Sequence, residues 1–243
     1  MAPVEIISRY WPVFVASLGP TLFLTFVSAA IAGVIAVPLA LARVYLPAVV
    51  QFPLRLYVSF VRGTPLLAQM FLIFYGSAQF RVFYEEIGLW SFFRDPMNCA
   101  LLSFVLNTTA YQTEILRGGI AAVTPGEIEA AKAIGMNKIA ILRRVTLPHA
   151  YRIAWPALGN EIILLLKASA LASVITVMDV MGRTRQIFSM TFDFSVYLWA
   201  ALIYLLITMI FITIWRSIER RLSRHRIDRS SLVDNFKAEG GLT

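Results

Sequence analysis

The stretch that decides the fold is residues 124–148, T-P-G-E-I-E-A-A-K-A-I-G-M-N-K-I-A-I-L-R-R-V-T-L-P. It is polar and helix-forming, while the chain on either side is apolar over bilayer-crossing lengths. Thr124 followed by Glu127 predicts a capping box, with Pro125 at the first helical position, where a missing N–H leaves nothing unpaired. Ala130, Ala131 and Ala133 favour helix, and Gly135 is the expected stop. Asn137 predicts the start of a second short helix through Leu142, and Pro148 is expected to block its continuation into the next span. Read alone, these signals also fit an ordinary helical hairpin between spans.

Working outward, 58% of the 243 residues are hydrophobic and the mean hydropathy is +0.72, values of a polytopic membrane protein. A helix needs about 20 residues to cross the hydrocarbon core. Five segments qualify: 14–42, 56–80, 97–120, 150–178 and 195–216. The run at 13–42 is too long for a signal peptide and nothing basic precedes the first charge, Glu5, so a retained span is expected. Arg62-Gly63-Thr64-Pro65 interrupts the second span. Pro65 lacks an N–H and biases Thr64 away from helix, and Gly63 permits close backbone approach, so a break is expected here. It reads either as a packing kink or as a hinge. Pro156 and Gly159 predict that the fourth span is bent or locally unwound.

Basic residues set the orientation. The 43–55 loop has Arg43 and Arg55, and the 121–149 loop has Lys132, Lys138, Arg143 and Arg144. The tail after Ile214 has Arg216, Arg220, Arg221, Arg224, Arg226, Arg229 and Lys237. In the alternate loops acids offset the arginines. The expectation is an all-α membrane protein with five transmembrane helices, N-terminus outside and C-terminus in the cytoplasm. Residues 1–220 form one transmembrane domain containing the 121–149 loop. Residues 221–243 are expected to be a basic, mobile cytoplasmic tail near anionic lipid headgroups. The net charge of +8 follows from this asymmetry and does not imply nucleic-acid binding.

Catalytic classes find little support. Cys99 is the single cysteine, which excludes an internal disulfide, and His149 and His225 have no metal-site spacing. No G-x-x-x-x-G-K-[ST] occurs, so this chain has no P-loop for ATP hydrolysis. Within the expected spans the acidic residues are Glu114 and Glu161. Intramembrane carboxylates face a partner or an aqueous pathway. Glu114 lies one helical turn before Arg117, which predicts a structural ion pair. Glu161 follows His149 by 12 residues, about 18 Å at ~1.5 Å each, close to the midplane. Broken helices at that depth hold substrate in transporters. Asn160 and Glu161 are therefore candidate substrate contacts, the carboxylate suiting a cationic side chain or an α-ammonium group. A carboxylate satisfied by a partner subunit is the other reading. Lys167, further outward, is a candidate for meeting a substrate carboxylate, pairing with a neighbouring subunit or gating. On these residues, a secondary transporter or channel acting alone and a membrane enzyme remain rivals. The absence of an inverted repeat and of clustered catalytic groups counts against them.

Glu129-Ala130-Ala131, three residues, Gly135, nine residues, then Val145-Thr146-Leu147-Pro148 resembles the EAA motif of ABC-importer permeases, with Val145 in place of the usual Ile. Arg62-Gly63-Thr64-Pro65-Leu66-Leu67 with Gln69, Asn107-Thr108-Thr109-Ala110-Tyr111 with Glu114, Arg117 and Gly118-Gly119, and Asn160-Glu161 with Lys167, Ser169 and Leu171 are similar to the polar-amino-acid branch. Within it, the M-type subunits for histidine, lysine, arginine and ornithine or for opines come nearest. The resemblance spans roughly 15–220. It implies a type I importer fold whose cytoplasmic coupling helices dock on an ATPase through Glu129, Ala130, Ala131, Gly135, Leu147 and Pro148. It further implies two ABC ATPase subunits that bind ATP and Mg, a second permease subunit (identical or paralogous), a periplasmic amino-acid-binding protein, and residence in the bacterial inner membrane. This chain itself is expected to carry no cofactor and no enzymatic activity.

Overall fold

The computed structural model describes residues 3–239, with side chains described for 5–221. Its elements are helices: α1 (Pro3–Tyr45), α2 (Ala48–Gly63), α3 (Leu66–Gln79), α4 (Arg81–Glu86), α5 (Trp90–Phe93), α6 (Pro96–Ala121), α7 (Pro125–Ala133), α8 (Lys138–Ile141), α9 (Leu147–Ala168), α10 (Val180–Thr191) and α11 (Ser195–Glu239). A π turn (Leu142–Thr146) joins α8 to α9, and a 3₁₀ segment (Ser169–Ile175) follows α9. Among the described residues, three helical stretches are long and apolar enough to cross a membrane: Glu5–Tyr45, Lys138–Ile175 and Ser195–Arg221. A fourth candidate is the pair α2 and α3, bent by 103°. The expected tail at 221–243 lies almost wholly outside the residues whose side chains are described.

Helix α6 matches the expected span at 97–120 but is too polar to pass as an apolar helix on its own. It carries Asn107, Thr108, Thr109, Gln112 and Thr113 buried against its neighbours, α1, α2, α3 and α9. Polar groups on a central helix find partners in protein rather than lipid. Against it, α1 presents Ala29, Ala32, Ala36 and Ala40, all buried. Small residues let helix backbones approach, which drives association where water supplies no hydrophobic force. Contact between α6 and α9 is closer still: a Cβ at Gly119 would lie 2.6 Å from the Ala150 carbonyl oxygen. Buried hydroxyls on α1 donate back to carbonyls one turn earlier, Ser17 to Phe14 at 2.7 Å and Thr25 to Thr21 at 2.8 Å.

Two expectations about the fourth span are corrected. Pro148 does not stop the helix. Leu147 N–H reaches the Leu142 carbonyl, an i−5 bond, so the chain widens into a π turn. That widening accommodates the proline ring and its missing donor while the axis runs on into α9. Of the two alternatives expected at Pro156 and Gly159, bent or locally unwound, the unwound one is excluded, since α9 is continuous through both. Gly159 instead makes room for Trp215 of α11, whose indole occupies the place of a Cβ. Trp215 stacks on Trp155 with centroids 4.2 Å apart and planes 11° apart. The tightening comes later, in the 3₁₀ segment, which ends at Thr176 with φ 69°.

Candidate functional site

Three clusters hold the residues singled out in the sequence. The first is the 125–149 hairpin. Thr124 is the N-cap of α7 by position, but its side chain makes no capping bond, so the expected capping box is not formed; the Glu127 N–H meets the Thr124 backbone carbonyl instead. At the other end Gly135 has φ +80°, with its N–H on the Lys132 carbonyl and the Met136 N–H on the Ala131 carbonyl. This is a Schellman stop, and a glycine takes that left-handed φ without strain. Asn137 caps α8 by accepting from the Ala140 N–H at 2.8 Å.

Of the motif residues, Glu129, Ala130, Gly135 and Pro148 are exposed, Leu147 is half-buried and Ala131 is buried. The tip also exposes Ile134 (78%) and Ile139 (69%), flanked by Lys132, Lys138, Arg143 and Arg144. Apolar side chains standing in solvent between cations mark a surface made to be covered. Their signal was in the sequence: two isoleucines bracketing Gly135 in an otherwise polar loop. One contact had no such signal. His149 Nδ1 meets Glu127 Oε2 at 2.7 Å, tying α7 to the first turn of α9.

The second cluster is the elbow between α2 and α3. Thr64 and Pro65 are extended (ψ 144° and 133°), which ends α2 and leaves carbonyls without helical donors. Gln69 supplies them. Its side-chain amide donates to the Val61 carbonyl (2.8 Å), the Thr64 carbonyl (3.1 Å) and Thr64 Oγ1 (2.7 Å). Gln69 Oε1 accepts in turn from Asn107 of α6 at 3.1 Å. The expected break at Gly63-Thr64-Pro65 is thus present, and it is held rather than loose.

The third cluster comprises Glu114, Glu161 and the charged groups on the helices around them. Glu114 pairs with Arg117 (2.9 Å), as its spacing predicts, and also with Arg43 of α1 (2.5 Å). Glu161 is buried (8% exposed), whereas Asn160 and Lys167 are exposed. Asn160, Leu164 and Lys167 share one open face of α9, and Glu161 is turned toward the neighbouring helices. Asn160 and Glu161 therefore do not converge within this chain. Arg62, at the end of α2, is exposed. The Arg62 guanidinium also lies over the Tyr111 ring, 5.2 Å from its centroid. Beyond the fourth span, buried Asp179 caps α10 through the Gly182 N–H (2.8 Å) and accepts from the Tyr204 hydroxyl (3.1 Å). Burial pushes the Asp179 carboxyl up to about 6.

A family model described as "Binding-protein-dependent transport system inner membrane component" matches residues 29–225. The chain is 47% identical over 208 residues to the nopaline transport system permease protein of Agrobacterium fabrum, covering 85% of this chain and 86% of that one. It is 39% identical over 230 residues to the histidine/lysine/arginine/ornithine transport system permease protein of Salmonella typhimurium, covering 91% and 98%. The crystal structure of an amino acid ABC transporter with histidines superposes with a TM-score of 0.77 at 33% identity, covering 89% of this chain and 97% of that one. The inward-facing MetNI methionine ABC transporter has a TM-score of 0.75 at 17% identity, covering 89% and 99%, a likeness of fold alone.

Proposed function

This chain belongs to the family of binding-protein-dependent transport system inner membrane components, and from that premise we propose that it is a membrane-spanning permease subunit of an ATP-driven importer. Its cargo is a polar amino acid with a cationic group, or an opine. The cytoplasmic face receives two ABC ATPase subunits, which bind ATP and Mg. The outer face receives an amino-acid-binding protein, and a second permease subunit, identical or paralogous, completes the pathway. The chain crosses the bacterial inner membrane five times, N-terminus out and C-terminus in, with α2–α3 and α6 as the second and third spans.

The observation that carries this reading is the 125–141 hairpin. Its EAA pattern begins on the glycine-stopped α7, which the Asn-capped α8 follows, with Glu129, Ala130, Ile134 and Ile139 open to solvent. Closure of the ATPases moves this hairpin. The helix from Lys138 to Ala168 carries the motion toward Glu161, and the spans alternate between outward and inward openings. Glu161 offers a desolvated negative charge to a cationic cargo. The exposed α9 face with Asn160 and Lys167 borders the second subunit or the pathway.

The test is uptake by proteoliposomes containing this chain and its permease partner, with and without the ATPase. Uptake requires ATP and the ATPase, and Gly135→Asp, which strains a position at φ +80°, uncouples it while leaving membrane insertion normal. Uptake driven by an ion gradient alone would overturn the reading in favour of a stand-alone secondary transporter.

A further inference from the structure

We propose that the contact between Glu127 and His149 is the brace that makes the hairpin a rigid lever, and that transport depends on it because α7 would otherwise pivot. The inference rests on the coupling role proposed above.

The two arms of the hairpin are attached differently. One arm is helical throughout: α8, the π turn and α9 run from Lys138 to Ala168 without a gap. The other arm, α7, is connected along the chain to α8 through residues 134–137 and to α6 through residues 122–124, and it also packs against α8 and the π turn. Gly135 sits at positive φ and has no side chain to resist rotation. A push on α7 that is not passed on through its packing on α8 and the π turn is absorbed at Gly135, and a direct tie from α7 to α9 prevents that.

Two features do so. Ile128 packs against the cluster containing Val123, Ala150 and Ala154, with Tyr151 beside it. Glu127 Oε2 meets His149 Nδ1 at 2.7 Å, both side chains one-third exposed. Residues two apart on a helix point about 200° apart. Glu127 accordingly faces α9 while Glu129 faces solvent, so α7 carries its docking surface on one side and its brace on the other. His149 also lies in the first turn of α9, directly after the π turn, where a load from α7 enters the span below Glu161.

Glu127 favours the N-terminus of α7 electrostatically whatever it touches, so the test must separate that role from the brace. The complete importer, with its binding protein and ATPase, is reconstituted in proteoliposomes, and cargo taken up per ATP hydrolysed is measured. Glu127→Ala and His149→Ala are each expected to lower that ratio about three- to fivefold, the scale of a partly exposed hydrogen bond to a carboxylate, with ATPase binding and hydrolysis unchanged. The double variant is expected to match the worse single variant to within about twofold, since both remove the same contact. His149→Asn keeps a side-chain N–H near the position of Nδ1 and is expected to restore the ratio, whereas His149→Phe keeps the ring and not the donor. Losses that multiply in the double variant, or equal ratios for His149→Asn and His149→Phe, overturn the brace. The Asn and Phe pair decides alone if an alanine variant fails to assemble. A parent protein whose uptake ignores the ATPase would instead overturn the coupling role itself, a separate outcome.

Discussion

Removing the Gln69 side-chain amide should loosen the elbow between α2 and α3, and the structure allows the size of the effect to be worked out. Gln69→Leu keeps approximate volume and apolar contact but deletes the donations to the Val61 carbonyl, the Thr64 carbonyl and Thr64 Oγ1, and the acceptance from Asn107. The Asn107 bond joins two helices inside a membrane protein, where such bonds average about 0.6 kcal/mol. The carbonyls at the elbow are worth more, because Pro65 has no N–H to offer and the next helix begins at a 103° angle. Leaving a buried acceptor unpaired costs about 1–3 kcal/mol. Thr64 Oγ1 retains its own bond to the Phe60 carbonyl at 2.9 Å, which limits the damage. The sum is about 2–4 kcal/mol. Thermal unfolding in detergent, followed by fluorescence-detected size exclusion, would register a fall on the order of 10 °C for a chain of this size. Asn107→Leu alone should cost less, and the double variant little more than Gln69→Leu, because the Asn107 amide then leaves no partner behind. An unfolding temperature unchanged by Gln69→Leu would refute the argument. It would mean that the elbow carbonyls find water or another donor and that the amide is incidental.

Three further outcomes are expected. Gly159→Ala places a methyl group where the Trp215 indole lies, so Trp215 leaves its stack on Trp155 and its bond to the Trp155 carbonyl (3.2 Å). Overpacking of this kind costs about 1–3 kcal/mol, and unchanged tryptophan emission together with unchanged stability would show that the helices separate freely. Asp179 binds its proton more tightly folded, about 6 against the ordinary 3.8, so its contribution favours folding below pH 4 and is lost as pH rises through 6. Across that window the loss is about 3 kcal/mol at 1.36 kcal/mol per unit; Asp179→Asn, which can still cap α10, should flatten the unfolding profile, and an unaltered slope would assign it elsewhere. Glu161→Gln should abolish or sharply reduce uptake of cationic amino acids with assembly intact, and normal uptake kinetics in that variant would remove Glu161 from the pathway.

Much of this chain could be read from local chemistry. The apolar runs, the stop at Gly135, the start at Asn137 and the break at Thr64-Pro65 each depend on residues within a few positions of one another. Their backbone consequences are the same whatever packs nearby. The pairing of Glu114 with Arg117 belongs to the same class, one helical turn apart. The local reading failed at several places, some through local backbone bonds and some through distant groups. Pro148 was expected to block the helix, but the chain widens into a π turn just before it, which accommodates the missing donor, and α9 stays continuous past Pro156. The role of Gly159 was decided by Trp215, 56 residues away, and Thr124 lost its capping bond to a backbone contact. Arg43 on Glu114, Gln69 on Asn107, and His149 on Glu127 join residues that sequence spacing cannot connect. Only the packing of α1 and α3 against α6, and of α7 against α9, brings such partners within bonding distance. Local chemistry therefore shows the apolar runs and the polar hairpin at 124–148, but not the helices α4, α5 and α10, which lie where loops were expected. Packing alone sets that Glu127 meets His149, that Gln69 holds the elbow, and that Glu161 is buried while Asn160 and Lys167 face out. Charges and amides act over a few ångströms of space rather than a few positions of chain.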